Sequence, residues 1–405
     1  MNSDNSAVKK LSPSKKLTDE QQKLVNKIKA FAKKNLNSKK HAVFTIYGDA
    51  GTGKSVVLSQ LFYDLQQMTK LEGVFKNTKN YFLVNHPEIL KVYKQIAGNE
   101  PNVLKKNFNR PTSFINQMNK KRLNADVTIV DEAHLLLSRP DHYNNFYQEN
   151  QLEEIIKKSK VTIIVFDKRQ VIRTKMFWNE ERLKKLLKPY HNDEYHLTKQ
   201  FRMTASNDLV KWINAFTDGN LTKIPDSANA NYDFRIFDDA EKMREAIFDK
   251  NESMGLSRIV STSGYPSTLD GGKHYVIEGN FKMPWDQYNF TQTPWAEIPE
   301  TINEVGSIFT CQGFDLNYVG VILGPPIFLD KHNHKIKVNL SKYTDVESLK
   351  KRPDMKNDEN FEAIKKQLIL NSINVLMKRG VHGLYIFAHD VELRKQLLKY
   401  FKDIK

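Results

Sequence analysis

Cysteine is almost absent from this sequence: Cys311 stands alone among 405 residues. One thiol cannot build an internal disulfide framework, and it cannot supply the thiolates of a cysteine-built zinc site. A reducing cytosol suits such a chain. Long apolar runs are missing as well, none approaching the roughly 20 residues that cross a bilayer, so no membrane partner is expected. The opening residues Met1-Asn2-Ser3-Asp4-Asn5-Ser6 are polar and lack an apolar core, which argues against a secretory signal. Acidic side chains are the third shortage. Lys and Arg number 63 against 47 Asp and Glu, a formal charge of +16. The excess gathers at Lys33-Lys34, Lys39-Lys40, Lys105-Lys106, Lys120-Lys121-Arg122 and Lys184-Lys185. A polyanion would answer it, because each neutralised phosphate releases counterions. A lysine-rich solvated surface answers it equally well.

What is present turns on one stretch, Tyr47-Gly48-Asp49-Ala50-Gly51-Thr52-Gly53-Lys54-Ser55. It follows the β-branched run Ala42–Ile46 and opens a helical pattern of Val56, Val57, Leu58, Leu61, Phe62 and Leu65. Strand, glycine loop and helix in that order form a phosphate cradle. Glycines let backbone N–H groups turn inward, and the helix N-terminus adds partial positive charge. Lys54 then reaches the β- and γ-phosphates while the Ser55 hydroxyl ligates Mg²⁺. ATP or GTP is the expected ligand.

Length alone favours two α/β domains. A polar lead-in over residues 1–16 is expected to be disordered. Thr18 then caps a helix, with Gln21 three residues on and Leu24, Val25, Ile28, Phe31 and Ala32 along one stripe. Strand-like runs recur at Ala42–Tyr47, Tyr81–Val84, Val127–Val130 and Val161–Phe166, the alternation of a parallel sheet with crossover helices. The pattern breaks around Thr217–Asn220, so the first domain is assigned residues 17–222 and the second 223–405. Strands are expected there near Phe234–Phe237, Arg258–Ser261, Ser307–Phe309, Tyr318–Leu323 and Leu384–Phe387. Residues 264–299, rich in Gly, Pro and Trp, read as an irregular excursion, and 331–357 as a charged exposed insertion. A helix over Phe361–Met377 precedes Gly380.

Carboxylates fall where chemistry needs them. Asp131-Glu132-Ala133-His134 follows Val127–Val130 at a strand end, where parallel sheets place ligand sites. Asp131 can hold Mg²⁺ while Glu132 polarises a water attacking the γ-phosphate. His134 either couples that site to a nucleic-acid side or packs. Strand Val161–Phe166 ends in Asp167-Lys168-Arg169-Gln170, making Gln170 a candidate sensor of the γ-phosphate. Leu197–Arg202 sets a guanidinium near the domain boundary, and Asn374–Gly380 ends the last long helix with two cations. Trp178, Trp285, Trp295, Tyr288 and Phe290 are candidates for stacking on bases, and Arg110, Lys120, Lys121 and Arg122 for gripping phosphates. Core packing or a solvated basic face is the competing explanation for each.

This ordered set resembles a superfamily 1 helicase motor and is most similar to the Schlafen group 3-like DNA/RNA helicase domain family. The closer match lies in Phe281–Trp285, Ile302–Gly306, Thr310-Cys311-Gln312-Gly313-Phe314, Tyr318–Ile322 and Val375–Gly380, and it spans roughly residues 17 to 390. The resemblance implies two RecA-like P-loop domains, each a mainly parallel sheet flanked by helices, with ATP in the cleft between them. It implies that Gln21 reads the adenine edge, that Gly48, Asp49, Ala50, Gly51, Thr52, Gly53, Lys54 and Ser55 grip the phosphates, and that Ser55 and Asp131 hold Mg²⁺. Glu132 becomes the catalytic base and Gln170 the γ-phosphate sensor. Arg202 and Arg379 become arginine fingers, with Gly313 and Asp315 lining the ribose and phosphate side.

Three departures stand out. Thr262-Ser263-Gly264-Tyr265-Pro266 replaces a Trp-Pro-rich stretch, and Asp315 stands where related motors more often carry Glu. The lead-in has no room for the nuclease domain that family members often carry, so a separate nuclease subunit is an expected partner. The function expected is ATP-dependent translocation or unwinding on DNA or RNA, with a single-stranded track. An ATP-gated binding module that hydrolyses without unwinding is the first rival. A small-molecule kinase, which needs neither Arg202 nor Arg379, is the second.

Overall fold

The two series of strand-like runs form two mainly parallel sheets, each inside its own unit. The computed structural model describes residues 7–13, 15–197, 200–267, 272–287, 289, 291, 293–311, 313–352, 355 and 360–404. One unit runs through Val171 and includes Lys175–Gln200; the other gathers Ile172–Thr174 and the chain from Phe201 onward.

The first unit holds β1 (Ala42–Gly48), β2 (Asn80–Val84), β3 (Phe108–Asn109), β4 (Ala125–Asp131), β5 (Ser159–Phe166) and β6 (His191–Leu197). Their order is β3-β2-β4-β5-β1-β6 and every pairing is parallel. Val43, Phe44, Ile46, Val127, Ile129, Val130, Ile163 and Ile164 are fully buried, which is why the central strands read as continuous apolar runs. Parallel neighbours need crossovers. Helix Lys54–Met68 packs on β2 and β4, and helix Asp19–Asn35 packs on it in turn. That second helix starts with a complete capping box, in which the Thr18 hydroxyl accepts from the Gln21 N–H and the Gln21 carbonyl from the Thr18 N–H. Because β4, β5 and β1 are consecutive and parallel, the loops that follow them leave the sheet along one edge.

The second unit holds β7 (Asp233–Ile236), β8 (Arg258–Ser261), β9 (His274–Glu278), β10 (Phe281–Trp285), β11 (Val305–Gly306), β12 (Leu316–Leu323) and β15 (Gly380–Ala388), with a separate hairpin of β13 (Ile327–Asp330) and β14 (Lys335–Val338). The order is β7-β15-β12-β8-β11-β10-β9, and only the β9–β10 pair is antiparallel. Helix Phe361–Met377 is buried on every side from Leu368 to Met377, so it lies in the core and not on its rim. Arg258, almost fully buried, donates to Thr301 Oγ1, Ile298 O, Ser257 O and Asn251 Oδ1, fastening segment 298–301 to the sheet.

Several boundaries differ from the sequence-based expectations. Residues 7–11 of the lead-in form a short helix, Ala7–Leu11, whose last carbonyl accepts from the Ser59 hydroxyl. The units divide near Gln200 and not at 222/223, because helix Asn207–Thr217 packs on helix Phe361–Met377 and Trp212 lies edge-on to Phe234. Ser307–Phe309 is no strand: pairing ends at Gly306 and the turn of helix Ile308–Cys311 begins. The 264–299 excursion contains the β9–β10 hairpin, and the 331–357 insertion contains β14. Edge strand β6 has no counterpart among the expected strands. Its residues His191-Asn192-Asp193-Glu194 are polar since it pairs on one side only.

Candidate nucleotide site

The glycine loop departs from β1 and ends at Gly53, the N-cap of the 15-residue helix Lys54–Met68. Gly51 and Gly53 have φ of 86° and 78°, left-handed values that only glycine adopts cheaply. A Cβ on Gly48 would lie 2.7 Å from Thr52 Oγ1, so the loop closes on itself only with glycine there. The Thr52 hydroxyl donates to the Asp49 carbonyl at 3.0 Å and fixes that closure. Gly53 brings no side-chain cap to the first-turn N–H groups, which an anion can therefore meet. Lys54 is buried, and its ammonium donates to the carbonyls of Gly48 and Asp49, each at 2.7 Å. Asp167 Oδ2 lies 3.4 Å away and completes the neutralisation of a buried charge.

Two neighbouring strand ends supply the rest. At the end of β4 the Asp131 carboxylate is fully buried, with Oδ1 accepting from the Ser55 hydroxyl at 3.3 Å and from the Glu132 N–H at 3.0 Å. Its Oδ2 accepts from the Tyr93 hydroxyl at 2.8 Å. Burial, followed by the adjacent Glu132 carboxylate, pushes Asp131 up to about 6 against the pull of those hydrogen bonds. Glu132 sits at φ 54°, a left-handed conformation that costs a non-glycine residue on the order of 1 kcal/mol or more. Its Oε2 lies 3.1 Å from Nε2 of His134, whose fully buried ring stands edge-on to Phe166. At the end of β5, Asp167 accepts from the Arg169 N–H at 3.0 Å and from the Gln170 side-chain amide at 2.8 Å. Gln170 Oε1 is buried and, among the described residues, has no hydrogen-bond partner.

Lys54, Ser55, Asp131, Glu132 and Gln170 are thus brought together, linked through Asp167 on one side and by direct contacts on the other. Gln21 is drawn into its own helix cap, which occupies its carbonyl oxygen. Two members of the cluster were missed in the sequence. Asp167 carried a signal, a carboxylate directly after a buried strand. Tyr93 carried none.

Within the second unit Arg202, Gly313, Asp315 and Arg379 also gather. Arg202 is ion-paired with Asp315, so Asp315 faces a guanidinium and not open space, and Arg202 belongs to this unit and not to the first. Arg379 donates from Nη1 to the Phe314 carbonyl at 3.0 Å and from Nε to the Val375 carbonyl at 3.2 Å. Gly313 has φ 90°, again a glycine conformation, while Gln312 lies outside the described residues. Burial pushes the Cys311 thiol up to about 11, with Arg379 and Arg202 pulling the other way.

The tryptophans proposed for base stacking are core residues. Trp178, Trp285 and Trp295 are each 2% exposed. Trp178 Nε1 donates to the Leu136 carbonyl, and the Trp295 ring leaves no room for a Cβ on Gly306. Tyr288 and Phe290 lie outside the described residues. Arg110, Lys120, Lys121 and Arg122 are exposed. Among the described residues, no helix is long and apolar enough to cross a membrane.

Similarity to known proteins extends over most of the chain. A protein of Saccharomyces cerevisiae, named only as uncharacterized, is 41% identical over 416 residues, covering 95% of this chain and 90% of the relative. Among solved structures, the Pif1 helicase from Candida albicans aligns over 97% of this chain and 100% of its own, at 12% identity and a TM-score of 0.39. A DEAD box protein from Methanococcus jannaschii aligns over 96% of this chain and 95% of its own, at 12% identity and a TM-score of 0.33. The family model described as Schlafen group 3, DNA/RNA helicase domain, matches residues 41–390. With most of its length inside that match, the chain belongs to the Schlafen group 3 DNA/RNA helicase domain family.

Proposed function

We propose that this chain is an ATP-dependent nucleic-acid translocase or helicase, which hydrolyses ATP with Mg²⁺ and couples turnover to movement along DNA or RNA in the cytoplasm. The observation that carries the reading is the hydrogen-bonded set of buried Lys54, Asp131, Glu132 and Gln170 with half-buried Ser55 at the ends of β1, β4 and β5. A triphosphate suits the two left-handed glycines, the tight closure at Gly48 and the uncapped helix N-terminus. Mg²⁺ suits the Ser55 hydroxyl and Asp131 carboxylate, hard oxygen donors 3.3 Å apart. When bound, the ion would neutralise charge on the phosphate oxygens.

The chain's own residues do the rest. Lys54 exchanges its carbonyl and Asp167 contacts for the phosphates. Glu132, steadied by His134, takes the proton of the attacking water. Gln170, whose side-chain carbonyl oxygen meets no donor among the described residues, accepts a hydrogen bond from that water. Gln21 reads the adenine, Gly313 and Asp315 attend the ribose and phosphate side, and Arg202 and Arg379 act as arginine fingers. The test is ATPase rate with and without single- and double-stranded DNA and RNA. A rate that rises with none of them counts against a motor.

A second reading is favoured by one observation. Arg202 is paired with Asp315 and Arg379 is bound to two carbonyls, so both proposed fingers hold structural contacts. That suits an ATP-gated binding module which hydrolyses slowly and displaces no strand. A strand-displacement assay separates the two.

A further inference from the structure

With the tryptophans buried, the exposed aromatics of the first unit lie on another segment, between β4 and helix Gln151–Lys157. Asp141 and Phe146 exchange both backbone hydrogen bonds, at 2.8 and 3.0 Å, closing a small loop. Asn145 takes a left-handed φ of 55°, and Asp141 Oδ2 accepts from the Asn144 amide at 2.8 Å and from Lys175 Nζ at 3.1 Å. Phe146 is fully buried in the core beneath. From this tied base Tyr143 and Tyr147 are 92% and 63% exposed, and the His142 ring lies 5.0 Å from that of Tyr147. Rings exposed to that degree bury little apolar surface in the fold.

Both signs of charge lie near the loop, with Glu149 exposed two residues beyond Tyr147, while the cations cluster at one helix end. Asn116 donates to the Asn145 carbonyl at 3.2 Å, which ties the middle of helix Pro111–Lys121 to the loop. Lys120 lies four residues further along the same face, and Lys121 and Arg122 follow, all exposed. Asp141 is paired with Lys175, Glu153 and Glu154 share Lys157, and Glu149 is exposed.

We propose that Tyr143 and Tyr147, together with Lys120, Lys121 and Arg122 at the end of the helix that touches their loop, form a platform for single-stranded nucleic acid. This rests on the nucleic-acid reading above and gives it a surface. Tyrosine faces stack on unpaired bases whatever their identity, and the cations meet the backbone phosphates. A duplex offers no such unstacked base.

Fluorescence anisotropy with fluorescein-labelled oligo-dT, oligo-U and a blunt duplex, on the full chain, tests it. The Tyr143→Ala/Tyr147→Ala variant should bind both single strands at least about tenfold more weakly, with duplex binding and melting midpoint unmoved. Tyr143→Phe/Tyr147→Phe, which keeps the rings, should bind like the native chain. Lys120→Ala/Lys121→Ala should make log affinity fall less steeply with log salt, by roughly 0.7 for each phosphate that is no longer neutralised. If the native chain binds single strands and the alanine variant binds them equally well, the platform is overturned while the motor reading stands, and the loop is left to a protein partner. If the native chain binds no nucleic acid, both fall. Should the double variant fail to fold, Tyr143→Ala alone decides, since that side chain is 92% exposed.

Discussion

The Tyr93 hydroxyl donates to Asp131 Oδ2 at 2.8 Å in a place where neither side chain meets solvent. One oxygen of the strand-end carboxylate is thereby fixed by helix Pro87–Asn99, while the other is left to Ser55 and the Glu132 N–H. Burial and the Asp131 charge hold the Tyr93 hydroxyl well above its ordinary ionisation range, so it stays a donor. Tyr93→Phe removes that donor and little volume. MgATP affinity measured by calorimetry should fall about tenfold, the scale of a lost hydrogen bond to a charged group. Affinity for ATP in EDTA should stay put. Equal losses in both conditions would mean that Tyr93 only packs.

Glu132→Gln separates binding from chemistry. The amide keeps the shape of the side chain and its place beside His134, yet it cannot take a proton. ATP affinity should stay near native, and hydrolysis should fall by about 10²- to 10⁴-fold, the range of a general base. A fluorescent ATP analogue and a phosphate-release assay read the two quantities. Joint loss of binding and turnover would point instead to a disturbed left-handed turn at residue 132.

How much of this was legible in the sequence depends on how local each feature is. The glycine loop is contiguous, with its strand before it and its helix after it, so residues 42–65 declare the site unaided. Asp131 and Glu132 are legible for the same reason, as a carboxylate pair closing an apolar run. Tyr93 is not, because its link to Asp131 joins a helix to a strand through tertiary packing that no local pattern encodes. The Arg202–Asp315 pair is equally silent, since its members are far apart in the chain. Trp178, Trp285 and Trp295 misled for a physical reason: a large amphipathic ring satisfies a core and a base-stacking surface alike, and only burial tells them apart. Strand β6 stayed hidden because an edge strand presents polar residues to water, which erases the apolar run that revealed its neighbours.

Cys311 offers a pH test with a single reporter. Its thiol is fully buried and moved from an ordinary 9.0 to about 11 by that burial. Below pH 9 native and unfolded chains both hold the proton, so the group makes no contribution to the pH dependence. Between 9 and 11 only the unfolded chain ionises, and stability falls as pH rises across that window. Across the whole window the loss comes to about 2.7 kcal/mol. Urea melts of the native chain and of Cys311→Ala at pH 8 and pH 10.5 should converge as pH rises, the native chain losing about 2 kcal/mol more. Alkylation of the folded chain at pH 8 should be negligible, against one equivalent in urea. Parallel pH profiles for the two proteins would mean that the thiol is not shielded.

Arg202 and Arg379 face different demands, and substitution should tell them apart. Arg379 supports the carbonyls of Phe314 and Val375 from a buried position, so Arg379→Ala strands two acceptors. A loss of about 2 to 4 kcal/mol in unfolding free energy should accompany any loss of turnover. Arg202 is ion-paired with Asp315 and keeps a little solvent access. If Arg202 is a finger that Asp315 only parks, Arg202→Ala should cut ATP turnover by about a thousandfold or more while barely moving the melting temperature. Asp315→Asn, which removes the charge of the ion pair and keeps the side chain's size, should then leave turnover at least at the native rate. If Asp315 instead contacts the nucleotide, Asp315→Asn should raise KM for ATP. Were Arg202→Ala and Asp315→Asn to lower stability equally and leave turnover per folded molecule untouched, the pair would be a strut of the second unit and the finger role would pass from Arg202.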